Sequence, residues 1–214
     1  MLTGAGYRTV VGSIDIPALR LPPDANASAL HAVSAWVGID GGAACPHALL
    51  QVGVDMYLSK GATQYWAWFG WWPNSPTYLS DFAMRAGDTV SLNVSAHSLT
   101  SATLSLLNTR TGQLDRASMA AVDEAALLCG SHAEWIVEDF WAGHGVPLAD
   151  FGAITFSGTR FVTDTGVKGG LERARVTGVR ERKGAVPVIA CRARGVEVVG
   201  CEYRWPENSS DVVY

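Results

Sequence analysis

The sequence predicts an all-β fold, a sandwich of two antiparallel sheets. Three observations lead there. Apolar residues recur at every second position in short segments, and the 3.6-residue period of a helix is nearly absent. Those segments are separated by Gly, Pro, Asn or Asp, and 23 Gly and 9 Pro in 214 residues supply turns for many strands. Hydrophobic residues make up 48% of the chain against 17% charged, which is enough apolar surface for a core. No internal repeat, low-complexity tract or Pro/Ser-rich linker divides the chain, so residues 1–214 are read as one domain, a size that sandwiches commonly reach.

Taken in order, the alternation predicts strands over residues 7–16, 34–39, 48–58, 63–72, 89–96, 102–108, 133–140, 152–157, 174–180, 186–193 and 196–203. Arg85-Ala-Gly-Asp88 and Thr109-Arg-Thr-Gly112 read as turns between them. Residues 116–128, rich in Ala, Met and Leu, read instead as a short helix or an irregular crossover. Residues 19–30 read as a surface loop, with Asn26-Ala-Ser28 as an acceptor for glycosylation.

A formal charge of −4 and the lack of any Lys/Arg cluster exclude a nucleic-acid partner. The densest basic stretch, residues 180–183, is broken by Glu181 and reads as a solvated turn ending at Gly184. No run is long and apolar enough to span a bilayer, so no membrane partner is expected. Met1-Leu-Thr-Gly lacks the basic and apolar regions of a signal peptide, and the chain is taken as mature or as made without a leader.

Cys45, Cys129, Cys191 and Cys201 are even in number and never stand as CxxC, which argues against zinc and for disulfides. Cys191 and Cys201 flank Arg194-Gly195 in a hairpin pattern that would set them across neighbouring strands, leaving Cys45 for Cys129. Four reduced, buried thiols are the alternative. No HExxH or Gly-x-Ser-x-Gly motif occurs, and the five His make no partner set, His144 reading as loop. Neither a metal nor a cofactor is expected.

Residues two apart share a face of a strand. Trp36, Gly38 and Asp40 therefore face one way, as do Gln51, Gly53 and Asp55 in the next segment. Trp66, Trp68, Gly70 and Trp72 form a third set, and Glu134, Ile136, Glu138 and Phe140 a fourth. If these strands are neighbours, their shared face is a groove of tryptophan walls, a glycine floor and a few polar groups. Tryptophan at strand spacing is ordinary core material. A core face, however, does not mix it with Gln, two Asp and two Glu, because buried carboxylates need partners.

The segments Ala35-Trp-Val-Gly-Ile-Asp-Gly41, Leu50-Gln-Val-Gly-Val-Asp55, Trp66-Ala-Trp-Phe-Gly-Trp-Trp-Pro73 and Ala133-Glu-Trp-Ile-Val-Glu-Asp-Phe140 resemble, in order and spacing, the glutamic peptidases called eqolisins. Ala86-Gly-Asp-Thr-Val90 and Phe151-Gly-Ala-Ile-Thr-Phe156 extend the resemblance over most of the chain. It implies a sandwich of two curved antiparallel sheets, of the concanavalin A-like or jelly-roll type, and a secreted, monomeric acid endopeptidase with a protein or peptide substrate and a catalytic pair of Gln51 and Glu138 on the concave sheet. Trp36, Asp40, Asp55, Trp66, Trp68 and Trp72 are then substrate-binding. The resemblance supports the same two disulfides, makes residues 73–78 a flap, and sets against the glutamate strand a loop, residues 141–146, that lacks the bracing cysteines of some relatives. It also shows departures. Gly70 stands where the family often has a glutamate, Trp66 where fungal relatives have an acidic residue and Trp72 where they have a tyrosine, which implies more apolar subsites and a shifted working pH. Little chain precedes residue 7 to form the initial strand that relatives carry, so an edge strand is expected to be missing or differently built.

Amide hydrolysis needs an activated water, a stabilised oxyanion and a proton for the leaving nitrogen. A carboxylate at Glu138 could take and return the proton, provided its neighbours keep it ionised in acid. The Gln51 amide could donate to the oxyanion. A sandwich glycosidase using Glu134 and Glu138 is the enzymatic rival, weakened because Ile136 stands where such enzymes carry an aspartate midway. A lectin-like carbohydrate- or peptide-binding module is the non-catalytic one.

Overall fold

The strands expected between residues 7 and 108 all form. The computed structural model describes residues 1–23, 25–139, 146–179 and 188–205. Its strands are Leu2–Thr3 (β1), Tyr7–Asp15 (β2), His31–Asp40 (β3), Leu49–Ser59 (β4), Ala62–Trp72 (β5), Thr77–Tyr78 (β6) and Thr89–Ala96 (β7). After them come Ser101–Asn108 (β8), Leu114–Ala120 (β9), His132–Glu138 (β10), Ala153–Thr163 (β11), Lys168–Gly169 (β12), Ile189–Ala193 (β13) and Val198–Tyr203 (β14).

Two antiparallel sheets face one another. One has the order β1-β10-β3-β4-β5-β6, the other β13-β14-β11-β2-β7-β8-β9, with β12 paired to β11. Val37, Ile39, Leu50, Val52, Val54, Phe69 and Trp71 of the first sheet are fully or almost fully buried, as are Val10, Ile14, Leu92, Val94, Leu104, Leu106 and Phe156 of the second. Burial of each such side chain contributes roughly 1.5–3 kcal/mol before chain entropy is counted. On its other face the second sheet is wet and nearly uncharged at β2, β7 and β8, with Thr9 opposite Ser95, and Ser13 opposite Ser91 at a hydroxyl separation of 2.7 Å.

Three expectations need correction. Residues 116–128 are neither helix nor irregular crossover in their first half. Leu114, Arg116, Ser118 and Ala120 are exposed and alternate with partly covered neighbours, a two-residue period that makes β9 the edge strand on β8, and only Glu124–Ala126 forms a 3₁₀ turn. Residues 174–179 are not a strand: Ala174, Val176 and Val179 pack on the core, but backbone pairing there is a single bridge from Val179 to Ile189. The strand expected over 152–157 runs on to Thr163, because Gly158, at φ 61°, takes up a register shift against β2. An edge strand is present before residue 7, built as the two-residue β1 on β10. The basic stretch 180–183 with its turn at Gly184, the loop 141–145 with His144, and the outer ends of the strands expected to reach Phe140, Arg180 and Val186 lie outside the described residues.

Both expected disulfides are formed. Cys45–Cys129 ties the β3–β4 loop to the approach to β10, and Cys191–Cys201 joins directly paired residues of β13 and β14. The first closes a separation of 84 residues, the longer and more constraining of the two.

A second clamp is ionic. Asp88, buried at the end of the 85–88 turn, accepts hydrogen bonds from the Arg110 guanidinium, from Asn108 Nδ2 (2.8 Å) and from the Arg85 backbone N–H (3.2 Å). The Arg110 hydrogen bond, against the opposing effect of burial, holds this carboxyl far below the usual carboxylate range. Its stabilisation is thus present above the unfolded-state value near pH 4 and persists into strong acid, until the depressed folded value is reached. Asp88→Asn is expected to lower Tm by on the order of 5 °C at pH 4, as read by a thermal melt, with no change in sheet content by circular dichroism.

Candidate active site

Register decides the site. Pairing of β10 with β3, β3 with β4 and β4 with β5 gives three rows across the first sheet: Glu134-Gly38-Gln51-Gly70, Ile136-Trp36-Gly53-Trp68 and Glu138-Ser34-Asp55-Trp66. All twelve residues lie on the face away from the second sheet, so the four segments do share one surface. Gln51 and Glu138 are in different rows, each a diagonal neighbour of Trp36. Gln51 is two residues from Gly53 and Glu138 two from Ile136, the residues paired with Trp36 on either side. Diagonal neighbours lie about 7–8 Å apart, within reach of long side chains.

Trp36 is packed on glycine. A Cβ at Gly53 would stand 2.5 Å from Trp36 Cβ and 2.7 Å from Trp68 Cζ2, and one at Gly38 would stand 2.9 Å from Trp36 Cζ3. The indoles therefore lie down on the floor and are nearly buried, Trp36 at 5% and Trp68 at 4% exposure. Each then points its N–H at a carboxylate. Trp36 Nε1 donates to Glu138 Oε1 at 2.9 Å, and Trp68 Nε1 to Asp55 Oδ1 at 2.8 Å. The Gln51 side chain, half-buried, accepts and donates no hydrogen bond among the described residues, which leaves its amide available.

Asp55 is buried and collects four donors: Ser34 Oγ (2.7 Å), Trp68 Nε1 (2.8 Å), Tyr78 OH (2.6 Å) and Tyr57 OH (3.2 Å). Burial still outweighs these bonds, and its carboxyl is pushed up from the ordinary value. Asp55 thus fastens the 73–78 segment to the floor through Tyr78, with donors on both of its oxygens. Ser34 and Tyr57 share the parity of Trp36 and Asp55 and were legible to that extent. Tyr78 arrives from the neighbouring segment, which no period signals.

Asp40 does not join the groove. It is fully buried, and its oxygens accept from the backbone N–H groups of Cys129 (2.7 Å), Gly130 (2.9 Å) and Ser131 (2.7 Å) and from Ser131 Oγ (2.8 Å). A left-handed backbone at φ 72° ends the alternation at this residue and turns its carboxylate to the chain entering β10. The expected substrate contact is corrected to a structural clamp. Trp66 and Trp72 are 37% and 52% exposed along β5, available to a ligand.

Residues 1–203 match the family model described as the peptidase A4 family. The chain belongs to the peptidase A4 family. It is 36% identical over 172 residues to Aspergillopepsin-2 of Aspergillus niger, covering 73% of this chain and 60% of that protein. It is 33% identical over 211 residues to Scytalidopepsin B of Scytalidium lignicola, covering 95% of this chain and 75% of that protein. The crystal structure of scytalido-glutamic peptidase with a transition state analog inhibitor is similar at a TM-score of 0.81 and 32% identity, covering 95% of each chain. The resemblance to the glutamic peptidases and the sandwich architecture are borne out by these matches.

Against that A4 background two positions stand out. At Gly70, where the resemblance leads one to look for glutamate, a Cβ would lie 3.3 Å from Gln51 Cγ and 3.4 Å from its Nε2, so a side chain there would be in contact with that of Gln51. Glu134 shares Gln51's row, is only 5% exposed, and accepts no hydrogen bond from the described residues. Burial pushes its carboxyl up to about 7, the Met1 amino group opposing and Asp40 and Glu138 adding to the rise. Sequence parity had placed Glu134 on this face without giving it a task.

Two outcomes follow from this packing. Gly53→Ala must displace both indoles, and is expected to cost about 1–3 kcal/mol in a denaturant titration and to cut any activity of the groove at least tenfold. Because the folded Glu134 binds its proton more tightly than the unfolded chain, the native state holds more protons between about pH 4.3 and 7, and stability must fall as pH rises through that window. Melts of the wild type and Glu134→Gln should therefore diverge toward neutrality, the variant being the more stable at pH 7; parallel curves would show that Glu134 titrates normally.

Proposed function

We propose that the protein is a secreted acid endopeptidase, formed as one domain and acting as a monomer, that hydrolyses peptide bonds with Glu138 and Gln51. The observation that carries this reading is the placement of both as diagonal neighbours of Trp36 on an open face, with Glu138 already oriented by the indole N–H. A peptide seated over Trp36 has the Gln51 amide on one side and the Glu138 carboxylate on the other. Glu138 takes a proton from the attacking water and returns it to the departing amine, while the Gln51 N–H groups donate to the oxyanion. The two disulfides support an oxidising, extracellular setting, and the A4 relatives support a peptide substrate.

Burial pushes the Glu138 carboxyl up from its ordinary value; the Trp36 hydrogen bond only partly opposes this, and Asp139 and Asp55 add to the rise. A base so placed is stronger once ionised but is switched off sooner as pH falls.

A glycosidase reading would leave the Gln51 amide without a task. Cleavage of a denatured protein or quenched peptide across pH 3–6, run beside a polysaccharide panel, separates peptidase, glycosidase and binding module. Glu138→Gln should lower kcat/KM by about 10²–10⁴-fold, and Gln51→Ala by about 10²–10³-fold, both remaining folded. Persistent acid cleavage by folded Glu138→Gln would sink the assignment. The acid limb of the wild-type profile is expected above the ordinary glutamate value of about 4.3. In Trp36→Phe, which loses the hydrogen bond to the charged form, that limb should move higher still.

A further inference from the structure

A pocket of about 600 Å³ opens at one end of the groove, lined by Leu30, Tyr57, Gln64, Trp66 and Tyr78. Its size falls in the range of about 300–1,000 Å³ typical of small-molecule sites, more than one side chain needs. The wall is apolar and exposed: Leu30 is 43%, Trp66 37% and Tyr78 42% accessible. Among the described residues that line it there is no carboxylate, ammonium or guanidinium. The two phenols donate to Asp55 Oδ2, which fixes their rings, and burial keeps both protonated, Tyr57 being pushed up to about 12. A charged group entering here would lose water and find no ionic partner.

The pocket is continuous with the proposed site. Trp66 ends the row that begins at Glu138 and passes through Ser34 and Asp55. From the strand of Trp36 to that of Trp66 is two strand spacings, roughly 10 Å. An extended peptide covers that distance in about three residues.

We propose that this pocket is a specificity subsite that receives a bulky apolar side chain of the peptide substrate about three residues from the bond cleaved. Trp66 and Leu30 are its discriminating walls, and Gln64 supplies the one amide at its mouth. The proposal rests on the peptidase reading and adds to it a substrate class: chains carrying Phe, Leu or a similar side chain at that remote position. Binding energy gained there can be spent at the reacting bond, so the preference should appear in kcat as well as in KM.

The test is a peptide series with a constant cleavage site, varied between Phe, Leu, Ala and Glu at each position two to four residues away on either side. At one position the wild type should favour Phe or Leu over Ala and Glu by about 10- to 100-fold in kcat/KM, the discrimination a hydrophobic pocket can give. Trp66→Asp should collapse that ratio, and Leu30→Ala, on the surface loop, should reduce it if Trp66→Asp does not fold. Binding is read in parallel by calorimetry, using the same peptides with a reduced, non-hydrolysable bond. A wild type that shows no preference at any of these positions, or folded variants that keep the full ratio, overturns the subsite. Absence of all cleavage would instead overturn the peptidase reading, and the subsite would then stand or fall on the calorimetric ratio.

Discussion

A slip of one residue in any of three ladders, β10 with β3, β3 with β4 or β4 with β5, would send that strand's polar set into the core and its apolar set into water. The site has no existence apart from that register. What fixes it is mostly the far side of the sheet, where Val37, Ile39, Val52, Val54, Phe69 and Trp71 have only one face on which they can be buried. Asp40 and the Cys45–Cys129 bridge add a second constraint at the one junction where chain proximity does not help, since β10 joins β3 from far along the sequence. A carboxylate that accepts four successive backbone N–H groups, from Cys129 to His132, is a rigid way to set where a strand begins.

The groove then carries a tension between burial and charge. Asp55, Glu134 and Glu138 are all pushed toward their protonated forms by burial, and the donors around Asp55 and Glu138 recover only part of the cost. Glycine makes this arrangement possible. With no side chain at Gly38 and Gly53, two indoles can lie flat, shield the carboxyls from water and still offer one N–H to Glu138 and one to Asp55. The second sheet solves the opposite problem at Asp88, where a guanidinium keeps a buried carboxylate charged.

Much of this was legible from a period of two. Parity alone put Trp36, Gln51, Trp66, Trp68 and Glu138 on matching faces, and the ladders joined those faces as neighbours. Parity failed where the backbone left the β region, and Asp40 is the instance: one residue at positive φ turned an expected groove residue into a buried clamp. It failed again at β9, where Ala and Met at consecutive positions suggested helix although an unpaired edge on β8 was the stronger influence. The donors to Asp55 were half hidden for another reason. Ser34 and Tyr57 follow from parity, whereas Tyr78 comes from a segment whose place over the sheet depends on tertiary structure.

The hydroxyl-bearing outer face of β2, β7 and β8 has its own consequence. Between neutral pH and strong acid most protein surfaces lose their carboxylate charge and are left with mutually repelling cations, a common route to acid unfolding. Thr9, Ser13, Ser91, Asn93, Ser95, Thr103 and Ser105 have nothing to titrate, and the Ser13–Ser91 contact joins two hydroxyls that neither gain nor lose a proton over that range. This stretch of the outer face is thus nearly indifferent to acidity, with the ionisable Asp15 and His97 only at its margins, against Thr89 and Thr103. The carboxyls that burial pushes toward their protonated forms, Asp55, Glu134 and Glu138, lie on the opposite sheet.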